Sequence, residues 1–259
     1  MRLQDKVAIV TGAGQGIGLA YTERFLDEGA KVVMAELHEE RGEIGFNSVQ
    51  NRGDAMFVQT DIADPASAQA CVDAAMDRYG RIDILLNNAA IYMDLDISNQ
   101  SLDYLKTVFD VNVHGQWIMA SAAAPHMAAQ NSGRIINQAS IAAYLYQSMT
   151  PQSAEFPGVS NSAYQLSKWT VIGMTKYLAG QLGAYNITVN GIAPGLTFTE
   201  ATKTVVPSEA QAILGMMQSI KREIQPEDMC GAAVFFASDD SAMVSGQVLC
   251  IDGGMTMPA

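Results

Sequence analysis

Seven short apolar runs punctuate the chain, and most of them are continuous rather than alternating. They are KVAIV (6–10), KVVMA (31–35), AMFVQ (55–59), IDILLNN (82–88), GRIINQA (133–139), NITVNGIA (186–193) and GQVLCID (246–252). A strand with one wet face alternates apolar and polar residues, whereas a strand covered on both faces reads as an unbroken apolar run. Helix-length segments at 17–29, 65–79, 101–129, 162–183 and 226–237 lie between the runs. Strands buried on both faces and joined by helical crossovers imply an α/β fold: a doubly wound sheet of about seven parallel strands with helices on both faces. The 259 residues carry no repeat, low-complexity tract or linker, so one domain over 1–259 is expected. Two longer irregular stretches, roughly 141–161 and 195–225, follow the fifth and sixth strands, where open parallel sheets bind ligands.

Charge and cysteine usage narrow the classes of partner. A formal net charge of −12 and a pI near 4.5 argue against nucleic acid and anionic membranes. Cys71, Cys230 and Cys250 are dispersed without CxxC spacing, which fits reduced thiols and a cytoplasmic location. The apolar stretch VAIV is too short for a signal peptide, and no run approaches the roughly 18 apolar residues of a membrane span. His38, His114 and His126 have no metal-like spacing, so no metal site is expected.

The turn VTGAGQGIG (10–18) follows the first strand and opens the first helix. Glycines there let backbone approach a pyrophosphate, and a helix N-terminus favours its charge. The spacing is Gly12-x-x-x-Gly16-x-Gly18; Ile17 takes the third glycine's place in the G-x-G-x-x-G pattern, and Gly14 is extra. Glu36 closes the second strand, 18 positions after Gly18, where a carboxylate accepts hydrogen bonds from the adenosine ribose hydroxyls. It would repel a 2′-phosphate. Position 15 is the neutral Gln15 and no Arg or Lys lies at 37–40, so NAD is expected rather than NADP.

The stretch AYQLSKW (163–169) sets Tyr164 four positions before Lys168, which on a helix stacks them on one face. A free phenol titrates near ~10, and a neighbouring ammonium lowers that value toward a useful base.

Taken together, in order and at strand ends, these motifs resemble the short-chain dehydrogenase/reductase family along essentially the whole chain. The carrying residues are Thr11-Gly12-x-x-x-Gly16-x-Gly18, Asp61, Asn87-Asn88-Ala89-Ala90 and Asn112 in DVNVHG. Ser140, Tyr164-x-x-x-Lys168 and Pro194-Gly195 followed by Thr199 complete the set. The resemblance implies a Rossmann-type fold, an NAD cofactor, and roles residue by residue. Ser140 would hydrogen-bond the substrate oxygen and Tyr164 would exchange a proton with it. Lys168 would hold the nicotinamide ribose and depress the tyrosine pKa, and Asn112 would help a water chain carry the proton away. Gly12, Gln15, Gly16, Ile17, Gly18 and Glu36 would hold the dinucleotide. Asp61 and Ile62 would meet adenine, Asn88 the adenosine ribose, and Thr197 and Thr199 the nicotinamide end.

Two departures stand out. Ala90 replaces a glycine usual in the family, and Ser140 and Tyr164 are 24 positions apart, well beyond the family's spacing. An insertion at about 144–161 accounts for that separation. It leaves Ser153 and Ser160 as rival serines, but Ser140 ends the fifth strand, where the cofactor should lie. The insertion, with a substrate loop at about 196–222, is expected to close over the site. Tyr92, Met93, Leu95, Tyr144, Tyr146, Leu196, Phe198, Met216 and Met217 form an apolar candidate pocket. The expected function is therefore NAD-dependent interconversion of a small hydrophobic, cyclic or aromatic secondary alcohol and its ketone. A 3-oxoacyl thioester reductase and a catalytically silent NAD-binding regulator are the alternatives. The resemblance also implies a homotetramer paired through the helices at 101–129 and 162–183, with Gly173, Ala179 and Gly180 on exposed turns of the latter.

Overall fold

The computed structural model describes residues 1–91, 101–145, 162–200, 202, 206 and 208–258. The apolar runs become seven strands: β1 (Val7–Thr11), β2 (Lys31–Glu36), β3 (Ala55–Gln59), β4 (Ile84–Asn87), β5 (Gly133–Gln138), β6 (Ile187–Pro194) and β7 (Val248–Ile251). They form one sheet in the order β3-β2-β1-β4-β5-β6-β7, with every pairing parallel. β1, β4 and β6 are buried along their full length, which is why their sequences do not alternate. Strand order reverses between β1 and β4, and the loops leaving their C-terminal ends diverge there to open a crevice.

Helices cover both faces. On one, α1 (Gly16–Asp27), α2 (Glu39–Val49) and α8 (Pro226–Ala237) bury Tyr21, Phe25, Val49 and Phe236 against Val10, Met34 and Leu86. On the other, α3 (Pro65–Tyr79), α5 (Gln116–Gln130) and α6 (Ala163–Leu182) bury Val72, Met119 and Leu178 against Ile9, Leu85 and Ile135. Helix ends follow local chemistry. The Asp64 carboxylate accepts from the Ala66 N–H at the start of α3, Pro65 sits at the first helical position, and Gly80 ends the helix at φ 71°.

The structure departs from the sequence reading in three places. Helix α2 lies in a stretch where none was expected. Its Gly42 and Gly45 lower helix propensity, but a Cβ at 42 would fall 2.2 Å from the Phe57 ring and one at 45 would fall 2.8 Å from the Gly14 carbonyl oxygen. The glycines therefore serve close packing. The helix expected over 101–129 is divided into α4 (Leu102–Phe109), a π turn (Asp110–Gly115) and α5. The stretch 195–225 is not wholly irregular: it holds α7 (Ser208–Met217) and a parallel bridge between Thr197 and Ile224. Most of the insertion, with Tyr92, Met93, Leu95, Tyr146, Ser153 and Ser160, lies outside the described residues.

Candidate active site

The glycine turn after β1 is shaped by contacts that exclude side chains. Gly12 and Gly16 adopt positive φ (62° and 55°), and a Cβ on Gly18 would lie 2.0 Å from the Gly12 carbonyl oxygen. Asn88, just past β4, clips the turn: its Nδ2 donates to the Thr11 and Gly12 carbonyls at 3.0 and 3.2 Å. The Thr11 hydroxyl accepts from the Asn88 and Ala89 N–H groups at 3.0 Å each. Ala90 lines the cleft one position beyond Ala89, and the Asn88 clip forms beside it. Gly14, the extra glycine, has its own reason: a Cβ there would meet Arg41 and Glu36 at 3.0 to 3.1 Å, so α2 could not approach.

This turn forms one wall of a cleft of about 1100 Å³, running along the C-terminal edge of the sheet. The bare glycine cradle and the length of the cleft fit a dinucleotide. Gly12, Gln15, Gly16, Ile17, Gly18, Glu36, Asp61, Ile62, Asn88, Ser140, Tyr164, Lys168, Thr197 and Thr199 all line it. Glu36 is not a solvated strand-end carboxylate. It is 3% exposed and accepts from the His38 N–H at 3.2 Å, the Gly14 N–H at 3.3 Å and Arg41 Nη2 at 2.5 Å. Arg41 is five positions past Glu36, in the first turn of the unexpected helix α2, and it supplies the cation that positions 37–40 lack. Asp61 accepts from the Ala63 N–H at 2.9 Å, which fixes the turn that carries Ile62. Across the cleft, Thr199 approaches the glycine turn, its Cγ2 3.4 Å from where a Gly16 Cβ would stand. The Thr202 hydroxyl braces this wall by donating to the Thr197 carbonyl at 2.6 Å.

At the other end of the cleft, β5 and α6 bring three side chains together. Ser140 follows β5 in extended backbone, and its Oγ accepts from the Ala142 N–H at 3.1 Å, capping a 3₁₀ turn at Ile141–Tyr144. One turn apart on α6, Lys168 Nζ lies 5.6 Å from the centroid of the Tyr164 ring. Lys168 is 1% exposed, and its ammonium donates to the Gln138 carbonyl at 2.8 Å. Burial pushes its pKa down from 10.5 to about 7. The same carbonyl accepts from Gln116 Nε2 at 3.3 Å, so the end of β5 is tied to α5 as well.

Asn112 does not line the cleft; it is fully buried behind it in the π turn. Its Oδ1 accepts from the Ile91 N–H at 2.7 Å and its Nδ2 donates to Ser167 Oγ at 3.2 Å. Ser167 in turn donates to the Tyr164 carbonyl at 2.7 Å. Asn112 thus joins the loop after β4 to the turn of α6 that carries Tyr164. The π turn rotates this residue inward, and such single-turn bulges recur at functional sites.

The apolar lining differs in part from expectation. Leu196 and Phe198 line the cleft, joined by Ile91, Val111, Leu145 and Leu214. Met216 and Met217 do not line it: they sit at the exposed end of α7, 70% and 52% accessible. Tyr144 packs edge-on against Trp169, with ring centroids 6.1 Å apart. On α6, Gly173 and Gly180 are exposed as expected, whereas Ala179 packs against the core. Among the described residues no helix is long and apolar enough to cross a membrane.

Comparison with known proteins agrees with this geometry. A family model described as Enoyl-(Acyl carrier protein) reductase matches residues 12–256. An uncharacterized oxidoreductase of Mycobacterium tuberculosis is 41% identical over 96% of this chain and 97% of its own. The trans-4-hydroxycyclohexanecarboxylate dehydrogenase of Sinomonas cyclohexanicum is 34% identical over 98% of this chain and 94% of its own. Among solved structures, a 7α-hydroxysteroid dehydrogenase complexed with NADH and 7-oxoglycochenodeoxycholic acid superposes with a TM-score of 0.87. It is 31% identical, covering 98% of this chain and 95% of that one. Sheet order, glycine cradle, the Tyr164–Lys168 turn and these likenesses agree: the chain belongs to the short-chain dehydrogenase/reductase family of oxidoreductases.

Proposed function

We propose that the chain is an NAD-dependent dehydrogenase, a single domain over 1–259, that interconverts a small hydrophobic cyclic secondary alcohol and its ketone. The observation that carries this reading is the shared cleft, with Glu36 at one end and Ser140, Tyr164 and Lys168 at the other. A nicotinamide bound there supplies the hydride acceptor or donor. Ser140 Oγ hydrogen-bonds the substrate oxygen, and Tyr164 takes the hydroxyl proton during oxidation or returns it during reduction. Lys168 binds the ribose and biases Tyr164 toward its ionised form. Because Lys168 is buried and its own pKa is low, the pH profile belongs to the coupled pair rather than to either residue. Asn112 holds the π turn and α6 in register behind Tyr164 and helps a water chain carry the proton out.

The apolar lining from Ile91, Val111, Leu145, Leu196, Phe198 and Leu214 supports a hydrophobic ring as substrate, and two relatives named above act on such rings by name. The described part of the 196–222 stretch supports a closed apolar end through Leu196, Phe198 and Leu214, and residues 146–161 lie outside the described residues. The second reading is a 3-oxoacyl thioester reductase, supported only by the carrier-bound acyl substrate in the description of the matching family model; the relatives' names and the lining favour the alcohol. The chain assembles as a cytoplasmic homotetramer through α5 and α6, whose outward faces expose Trp117, Leu166, Trp169 and Tyr177. The deciding experiment is turnover of a panel of cyclic secondary alcohols with NAD and NADP by the wild type and by Tyr164→Phe. The wild type should prefer NAD, and the variant should lose roughly 10²–10⁴-fold in kcat while still binding NADH. Near-wild-type turnover by Tyr164→Phe would refute the mechanism.

A further inference from the structure

We propose that the side-chain amide of Gln138, braced from behind by Tyr21, positions the nicotinamide riboside half of a bound dinucleotide by donating a hydrogen bond to it. This rests on the reading of the cleft as a dinucleotide site.

Side chains alternate across a strand, and β5 shows where Gln138 points. Asn137 faces α6, where its Nδ2 donates to Thr175 Oγ1 at 3.0 Å. Ile136 belongs to the opposite core, the one that Tyr21 and Phe25 of α1 help build. Gln138 shares the face of Ile136, and the Tyr21 hydroxyl donates to its Oε1 at 3.0 Å. That face is otherwise apolar, with Val10, Leu86 and Ile192, and an amide is costly there unless its hydrogen bonds are made. Tyr21 is itself fully buried. Burial pushes its hydroxyl pKa up, so it stays a neutral donor at every working pH.

One half of the amide is thus satisfied and the other is not. Gln138 Nε2 donates to no group among the described residues, yet it is not sealed in. The buried side-chain polar atoms that lack both a partner and solvent are, among the described residues, Arg41 Nε, Asn87 Oδ1, Gln116 Oε1 and Thr188 Oγ1. Gln138 Nε2 therefore keeps contact with solvent. The residue is 5% exposed and lines the cleft, so the cleft is where its amide emerges.

The backbone of the same residue fixes its place along the cleft. The Gln138 carbonyl accepts from the Lys168 ammonium at 2.8 Å, and Ser140 follows two positions on. In the sheet, β1 and β4 separate it from Glu36 at the end of β2. The amide therefore serves the Lys168 end, reaching it from the α1 side while Tyr164 and Lys168 reach it from the α6 side. The ribose and carboxamide oxygens of a nicotinamide riboside are acceptors, which suits an N–H donor. An amide held at its oxygen by a buried tyrosine loses little freedom on making that bond.

The test is equilibrium binding of NADH and 5′-ADP by calorimetry on the full chain; the two probes differ by the nicotinamide riboside. Gln138→Met keeps the length of the side chain and the backbone carbonyl that holds Lys168. It should weaken NADH by about 5–10-fold and 5′-ADP by less than about twofold. Tyr21→Phe, which leaves the amide unbraced, should weaken NADH by about 2–3-fold with the same selectivity. Tyr21→Phe combined with Gln138→Met replaces both partners with apolar groups of similar shape, so it carries the test if Gln138→Met alone fails to fold in a thermal melt. Equal loss on both probes would mean that the pair only shapes the cleft, and would overturn the proposal. Unchanged NADH binding by a folded Gln138→Met would overturn it too, while leaving the dinucleotide reading intact. A folded wild type that binds neither probe would overturn both.

Discussion

Replacing Lys168 with methionine should stabilise the protein without ligand, and the gain should depend on pH. The side chain is almost wholly buried and its pKa falls from 10.5 to about 7. In the unfolded chain the amine stays protonated until about pH 10, so between about pH 7 and 10.5 the unfolded state holds a proton that the native state has lost. Native stability therefore rises with pH across that window, and the burden of Lys168 is greatest below it. At ~1.36 kcal/mol per unit, a displacement of about 3.5 units makes that burden about 5 kcal/mol at pH 6 and about 2 kcal/mol at pH 9. Methionine fills similar volume without a charge. It also removes the ammonium donor to the Gln138 carbonyl, which keeps Gln116 as a partner; that loss takes back about 1 kcal/mol. Lys168→Met should then gain about 4 kcal/mol at pH 6 and about 1 kcal/mol at pH 9, while abolishing turnover. Urea unfolding followed by the fluorescence of Trp117 and Trp169 measures both values, and subtracting the wild type at each pH cancels every other titrating group. A gain that is the same at both pH values, or a loss at pH 6, would refute the reasoning.

Two further outcomes follow from the same geometry. Asn112→Leu should destabilise the chain by about 2–4 kcal/mol and slow turnover, because the half-buried Ile91 N–H and the buried Ser167 hydroxyl each lose a partner; unfolding and steady-state assays read the two effects. Trp169→Glu together with Tyr177→Glu should convert a tetramer to smaller species by light scattering, since both side chains stand on the exposed face of α6; an unchanged mass would place the interface elsewhere.

The sequence made the sheet legible because its strands are buried on both faces. A continuous apolar run bounded by a turn has few other uses, and the seven runs expected lie within one or two residues of β1 to β7. Part of the cleft lining was legible for a related reason: the glycine turn, Glu36, Asp61, Asn88 and Ser140 lie at strand ends, whereas Tyr164 and Lys168 were legible only as a one-turn pair on a helix. What stayed hidden was hidden by non-local contact. Gly42 and Gly45 read as helix breakers, yet α2 needs them to reach Phe57 and Gly14. Only the turn of α2 brings Arg41 back onto Glu36, five positions earlier in the chain. The π turn at Asp110–Gly115 was equally invisible, because one extra residue in a turn hardly alters a helical pattern. The charge state of Lys168 depends on burial beneath β5, which no spacing between residues 164 and 168 could reveal.

The strand order carries a consequence for how the molecule is made. The sheet contains no hairpin: Ala8 pairs with Ile84, Gly133 with Ile187 and Gly191 with Val248. Every strand must wait for a crossover before it gains a neighbour, and such distant pairings form slowly. On a ribosome, β1 to β3 emerge as apolar ribbons with one edge bare until β4 arrives, and β6 has no outer neighbour until β7 has emerged. Slow synthesis and low temperature should therefore raise the yield of folded protein more than they would for a helical bundle of equal length, since they lengthen the time to pair relative to the time to aggregate.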